Sequence, residues 1–175
     1  SKTGIGRTTE AVNVTGLKET RVGLSQGWNL FSLPLIPENQ KTDEILSGVP
    51  YSKIYYYDTV NDIWLAYNPD RKSHDPVNNL LQLNLGKGYW IKMDSAYELV
   101  VHGFVGINSS IELKRGWNFI GYPGLTGNDA ETALKDLYGK YIRIYSYDTE
   151  NSRWRAYSPY SESANTMSVI EPGKG

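Results

Sequence analysis

The sequence predicts a mainly β protein with one short helix per repeat: two tandem small β-sandwich or partly open barrel modules, the second incomplete at its C-terminal end. Three observations predict it. A cassette of motifs occurs twice in the same order. Runs rich in Tyr, Trp, Val and Ile are short and bounded by Gly, Pro, Asn and Asp, which is strand-and-turn punctuation. The aromatic content is high for a soluble chain, with 14 Tyr and 5 Trp among 175 residues.

The cassette begins with Gly-Trp-Asn at Gly27 and again at Gly116. Then come Ile-Tyr-Tyr-Tyr-Asp from Ile54 and Ile-Tyr-Ser-Tyr-Asp from Ile144, each followed by Trp-x-Ala-Tyr at Trp64 and Trp154. Gly-Lys-Gly closes the series at Gly86 and Gly173. The offsets are 89 residues for the first Trp pair, 90 for the Ile pair and 87 for the Gly-Lys-Gly pair, so the copies differ by small insertions only. Repeats of fixed period are read before any local feature, because they set the architecture. The division expected is residues 1–20 as a linker with the tail strand of a preceding repeat, 21–103 as the first module and 104–175 as a second, incomplete one. Either the chain is a window cut from a longer array, or its missing strands are donated by a neighbouring subunit.

Taken in order, Gly27–Leu33 is a strand stopped by Pro34 and Pro37, since proline cannot donate to a ladder. A short helix follows at Asp43–Ser47. In the second copy, Asn128 caps a helix with Glu131 at its third position, and Gly139 closes it. Ile54–Asp58 and Ile63–Tyr67 form a hairpin, as do their counterparts in the second copy. Tyr55, Tyr57, Trp64 and Ala66 recur as Tyr145, Tyr147, Trp154 and Ala156, while Tyr56, Ile63 and Leu65 become Ser146, Arg153 and Arg155. Side chains alternate along a strand, so each set occupies one face. The recurring set is expected on the inner, core face and the changing set on the outer face. Tyr89–Lys92 follows the Gly-Lys-Gly turn, and Tyr97–Val101 is expected to pair back on it.

The chemistry excluded is as informative. There are no cysteines, so disulfides, thiolate metal sites and thiol nucleophiles are absent. The net charge of −1 gives no basic field for nucleic acid, and no apolar run reaches membrane-spanning length. The two histidines, His74 and His102, lie in one copy and suggest no catalytic triad. No catalytic residue and no cofactor is expected, and the protein is read as not an enzyme. Gly86-Lys87-Gly88 lacks the frame of a phosphate loop and reads as a turn.

Three weaker signals remain. Asp58, Asn61, Asp62, Asp148 and Asn151 put oxygens in tight turns, which suits calcium but equally suits turns, where Asx side chains bond their own backbone. Asn13 and Asn108 stand in N-glycosylation triplets. Tyr56, Tyr67, Tyr157 and Tyr160 are the aromatics expected to be exposed and so the candidates for glycan contact.

The order Gly-Trp-Asn-Leu-x-Ser-Leu-Pro, Tyr-Tyr-Asp with Trp-x-x-Tyr, then Gly-Lys-Gly-Tyr-Trp-Ile resembles repeats found in large archaeal and some bacterial cell-surface proteins of the S-layer-like, adhesin-like or sheath-like kind. The resemblance runs from roughly Val22 onward. It implies an extracellular, non-catalytic structural or adhesive module whose partners are copies of itself or neighbouring repeats, with surface glycans as further partners. The other function the sequence allows is a carbohydrate-binding module on a secreted protein, which would present a coplanar row of exposed rings. The hairpin is also similar to a kelch blade, but the period near 90 is far from the ~50 of that repeat.

Overall fold

A computed structural model describes residues 14–72, 74–106 and 110–175. The chain is mainly β, with several antiparallel sheets and, among the described residues, none closed into a barrel. In the first repeat the elements are β1 (Val14–Leu24), β2 (Gly27–Ser32), β3 (Ile36–Pro37), α1 (Thr42–Ile45), β4 (Tyr51–Asp58), β5 (Ile63–Tyr67), β6 (Gly88–Met93) and β7 (Tyr97–Gly106). One sheet has the order β2-β6-β4-β5 and the other β1-β7-β3.

The two sheets enclose one apolar core. Phe31, Ile54, Tyr89 and Ile91 come from the four-stranded sheet, Val22, Leu24, Leu99 and Val101 from the three-stranded one, and all are buried. Along β7 the burial alternates strictly from Leu99 to Gly103, the period-2 mark of a strand with one wet face. Gly103 is demanded by the close pairing of β7 with β3, since a Cβ there would lie 2.2 Å from the Ile36 carbonyl oxygen. Tyr89 is wholly buried, yet its hydroxyl accepts from the Asn84 amide at 2.7 Å. Desolvation raises the pKa of this phenol.

Two expectations are corrected here. The segment after β6 does not pair back on it: β6 pairs with β2 and β4, while β7 crosses to the opposite sheet and pairs with β1 over nearly its full length. The three-residue turn between them, residues 94–96, is a corner between layers, because Tyr97–Val101 carries Leu99 and Val101 to the far side of the core. The tail strand expected within residues 1–20 and the start of the module expected at 21 also run together as one strand, β1.

The second repeat contributes β8 (Asn128–Asp129), α2 (Ala130–Leu134) with a 3₁₀ turn at Lys135–Leu137, β9 (Ile144–Asp148), β10 (Arg153–Tyr157) and β11 (Val169–Ile170). The cap of α2 is Asp129 rather than Asn128, its carboxylate accepting from the Thr132 amide at 2.8 Å. Local geometry recurs between the repeats. Gly27 and Gly116 both turn at φ near +100°, at 101° and 102°. Asn29 and Asn118 then brace that turn with the same bonds, each amide donating to two carbonyls of the preceding residues.

Candidate functional site

The recurring aromatics do not fill two cores. On β4 it is the changing position Tyr56, with Ile54, that is buried, whereas Trp64 is 53% exposed and Trp154 52%. The expected assignment of faces is therefore reversed. The recurring side chains stand on the face turned away from the sandwich, and there the first repeat meets the second. Recurrence has a different cause from the one expected: two copies that pack on each other through the same surface need the same residues on both sides.

The joint is reciprocal down to single hydrogen bonds. The Gly88 amide donates to the Phe119 carbonyl at 3.2 Å, and the matching Gly175 amide donates to the Leu30 carbonyl at 3.3 Å. The Gly121 amide donates to Gly86, and the matching Ser32 amide to Gly173, both at 3.0 Å. Each Gly-Lys-Gly thus pairs with the segment that follows Gly-Trp-Asn in the other repeat, through the bridges Lys87 to Ile120 and Phe31 to Lys174. The hairpin turns repeat the exchange. Thr59 Oγ1 donates to the Trp117 carbonyl at 3.1 Å, and Thr149 Oγ1 to the Trp28 carbonyl at 2.8 Å. Bonds of this kind are worth ~0.5–1.5 kcal/mol each.

Equivalent residues meet where the two halves cross. A Cβ on Gly121 would sit 2.3 Å from Ser32 Cβ, its counterpart, and Gly175 lies against Gly88. The residues at this crossing are small because each has its own equivalent for a neighbour.

Beside the crossing, an open cleft of about 560 Å³ is lined by Trp28, Tyr55, Trp64 and Trp90 of one repeat and Tyr147 and Trp154 of the other. The rings stand mostly edge to face: Trp28 on Trp90 at 88°, Tyr55 on Trp64 at 89°, and Trp90 on Trp154 at 86°. That geometry sets the positive edge of one ring on the negative face of the next. It is a clasp of rings rather than the coplanar row expected of a glycan platform. Lys92 Nζ lies 5.7 Å from the Trp28 ring, a cation–π contact at the border of the cleft. Trp90 is the hinge of the cluster, touching Trp28 in its own repeat and Tyr147 and Trp154 in the other.

The expected site residues are scattered. Tyr56 and Tyr67 are buried and cannot meet a glycan without unfolding β4 and β5. The physical reason is the reversed face: both point into the sandwich. Tyr157 is half-buried beside α2, where it lines a second cleft with Asp129 and Glu131. Tyr160 is exposed and stacks on Tyr138 at 6.1 Å between ring centres. Apart from Trp90, which has no counterpart in the second copy, the cleft residues were legible as recurring aromatics, but recurrence alone does not tell a core from a joint.

The oxygens weighed for calcium act as turn braces. Asp58 accepts from the Asn61 side chain at 2.7 Å and from the Val60 amide, and Tyr57 donates its hydroxyl to Asp62. Asp148 accepts from the Asn151 side chain at 3.0 Å and from Arg155 at 2.7 Å. The Asn151 bond and then the Arg155 pair hold the Asp148 carboxyl well below the usual carboxylate range, and the Asn61 bond lowers Asp58. Among the described residues no three His, Asp or Glu side chains converge as a metal cluster. Asn13 and Asn108 lie outside the described residues. Among the described residues, no helix is long and apolar enough to cross a membrane. No family model, curated protein or solved structure matches the chain.

Proposed function

We propose that this chain is a non-catalytic structural or adhesive module of an extracellular surface protein, in which repeats lock in pairs and carry load across the joint. The observation that supports this most is the reciprocal exchange of Gly-Lys-Gly and Gly-Trp-Asn segments between repeats. Main-chain bonds at Leu30–Ser32 and Phe119–Gly121 tie distant parts of the chain together, an arrangement suited to resisting extension rather than to turning over a substrate.

Single-molecule extension tests the reading. The pair is expected to open as one event that releases most of the described chain, on the order of 500 Å of contour at ~3.5 Å per residue. Two independent low-force events, one per repeat, would remove the load-bearing role.

A second reading, carbohydrate binding, has one observation in its favour: the aromatic cleft is open and offers ring faces with polar tips. Its residues are those of the cleft and not the four tyrosines first expected. Titration of tryptophan fluorescence against a panel of neutral and acidic oligosaccharides decides it. No quenching by any member at ~10 mM would discard the reading.

A further inference from the structure

In the first repeat, β6 lies between β2 and β4. It pairs Trp90 with Leu30 on one side and with Tyr55 on the other, and Ile91 with Asn29 and Ile54. Trp28 and Tyr55 therefore stand on strands that flank β6, and their rings meet above it at 6.1 Å and 33°. In the second repeat the matching rings, Trp117 and Tyr145, meet at 5.6 Å and 40°. Yet among the described residues β9 pairs only with β10, and Trp117–Phe119 carries no ladder. The rings of the two flanks thus meet much as they do over β6, while among the described residues no strand pairs with either flank on that side.

The exposures say the same. Trp117 is 70% exposed where Trp28 is 37%, and Ile144 is half-buried where Ile54 is fully buried. Ile142 beside it is 80% exposed. An open strand edge next to large exposed apolar side chains is a ready template for another strand.

We infer that the second repeat holds a strand-accepting site between Trp117–Phe119 and Ile144–Tyr145, which takes an extended segment with the Gly-Tyr-Trp-Ile-Lys pattern of β6, whichever chain carries it. The first repeat supplies the precedent for the occupant and fixes the register. The Trp of the incoming strand lies opposite Phe119 and Tyr145, and its Ile opposite Asn118 and Ile144. Alternation then sends that Ile, with the Tyr two places before it, inward to the face of β9 that carries Ile144 and Ser146. The Trp goes outward to cover Trp117, as Trp90 covers Trp28. The main chain supplies affinity through two ladders, and the alternate side chains supply register. The inference deepens the reading of the chain as an assembling module.

The test uses the whole chain and a synthetic peptide with the sequence of residues 84–101. Amide exchange and thermal unfolding are followed as peptide is added. Saturable 1:1 binding is expected, with slowed exchange confined to Trp117–Ile120 and Ile144–Ser146. The Tm should rise by about 3–5 °C at a tenfold excess over Kd. A peptide with the Trp and Ile positions exchanged, or the Ile144→Asp chain, should bind at least tenfold more weakly. No protection at ~1 mM peptide, protection at a different edge, or equal binding of the exchanged peptide would overturn the inference. The extension experiment reads the joint and this one reads the open edge, so either reading can fail alone.

Discussion

Replacing Gly121 with alanine adds one methyl group where the two repeats cross. The added carbon would lie 2.3 Å from Ser32 Cβ and 2.8 Å from both Ser32 Oγ and the Lys87 carbonyl oxygen. Carbon atoms settle at ~3.5–4.0 Å, so the halves must separate by about an ångström or the Gly86–Gly88 segment must shift. Either response strains the Gly121-to-Gly86 and Gly88-to-Phe119 main-chain bonds. Overpacking of this kind costs ~1–3 kcal/mol, and the rigid carbonyl neighbour places Gly121→Ala in the upper half of that range. For a chain of this length each kcal/mol moves Tm by ~2–4 °C, so a fall of roughly 4–12 °C is expected in a fluorescence-monitored melt. Ser32→Gly removes two of the three clashing atoms but also the 2.8 Å bond from Ser32 Oγ to the Lys174 carbonyl. The double variant should therefore cost less than the sum of the singles by ~1 kcal/mol or more. Gly23→Ala, whose added carbon meets nothing within 4 Å, is the control and should stay within ~0.5 kcal/mol of the parent. A Gly121→Ala chain as stable as the control, or a strictly additive double variant, would refute the packing of the two halves described above.

Three further outcomes are expected. Thr59→Val deletes the bond to the Trp117 carbonyl, and Thr149→Val deletes a hydroxyl shared between the Trp28 carbonyl and Asn29 Oδ1; each should cost ~0.5–1.5 kcal/mol in urea unfolding, and no change in either would mean that the turns do not anchor the joint. Trp90→Ala removes the ring shared by both repeats. It should cost ~2–4 kcal/mol and collapse the near-ultraviolet circular dichroism of the coupled indoles, whereas Tyr138→Ala, far from the cleft, should leave that signal intact. Asp148 has a depressed folded-state pKa, so its contribution to stability is complete above the ordinary carboxylate range near pH 4. That contribution is lost as the pH falls through the lower, folded-state value. Asp148→Asn should flatten the acid limb of a stability–pH curve, and an unchanged limb would assign the acid response to other groups.

Much of the fold was legible because its signals are local. The hairpin turns announce themselves by Asp and Asn, the strands by β-branched and aromatic residues, and the Gly-Trp-Asn turn by a glycine whose φ no other residue adopts cheaply. What was not legible is non-local. Adjacent strands 88–93 and 97–106 looked like a hairpin, but Leu99 and Val101 are needed on the opposite layer. That need depends on β1, which the sequence pattern marked only as a tail. The face assignment failed for a deeper reason. Tyr55, Tyr57 and Trp64 recur, and a core and a self-matching joint both demand recurrence. The difference lay in the changing positions: Tyr56 and Leu65 are apolar where the first sandwich is complete, while Ser146 and Arg155 are polar where the second is open.

Arithmetic follows from the way the repeats clasp. A surface that mates with its own likeness is satisfied by a single mate and has nothing left for a third. Such units count in twos. A chain that gained one of them would carry a face of Trp and Tyr with no counterpart, wet and adhesive to strangers. A chain that gained two would hide both. Length in proteins assembled this way is therefore expected to grow in even steps, with any odd unit set at a point where stickiness is wanted.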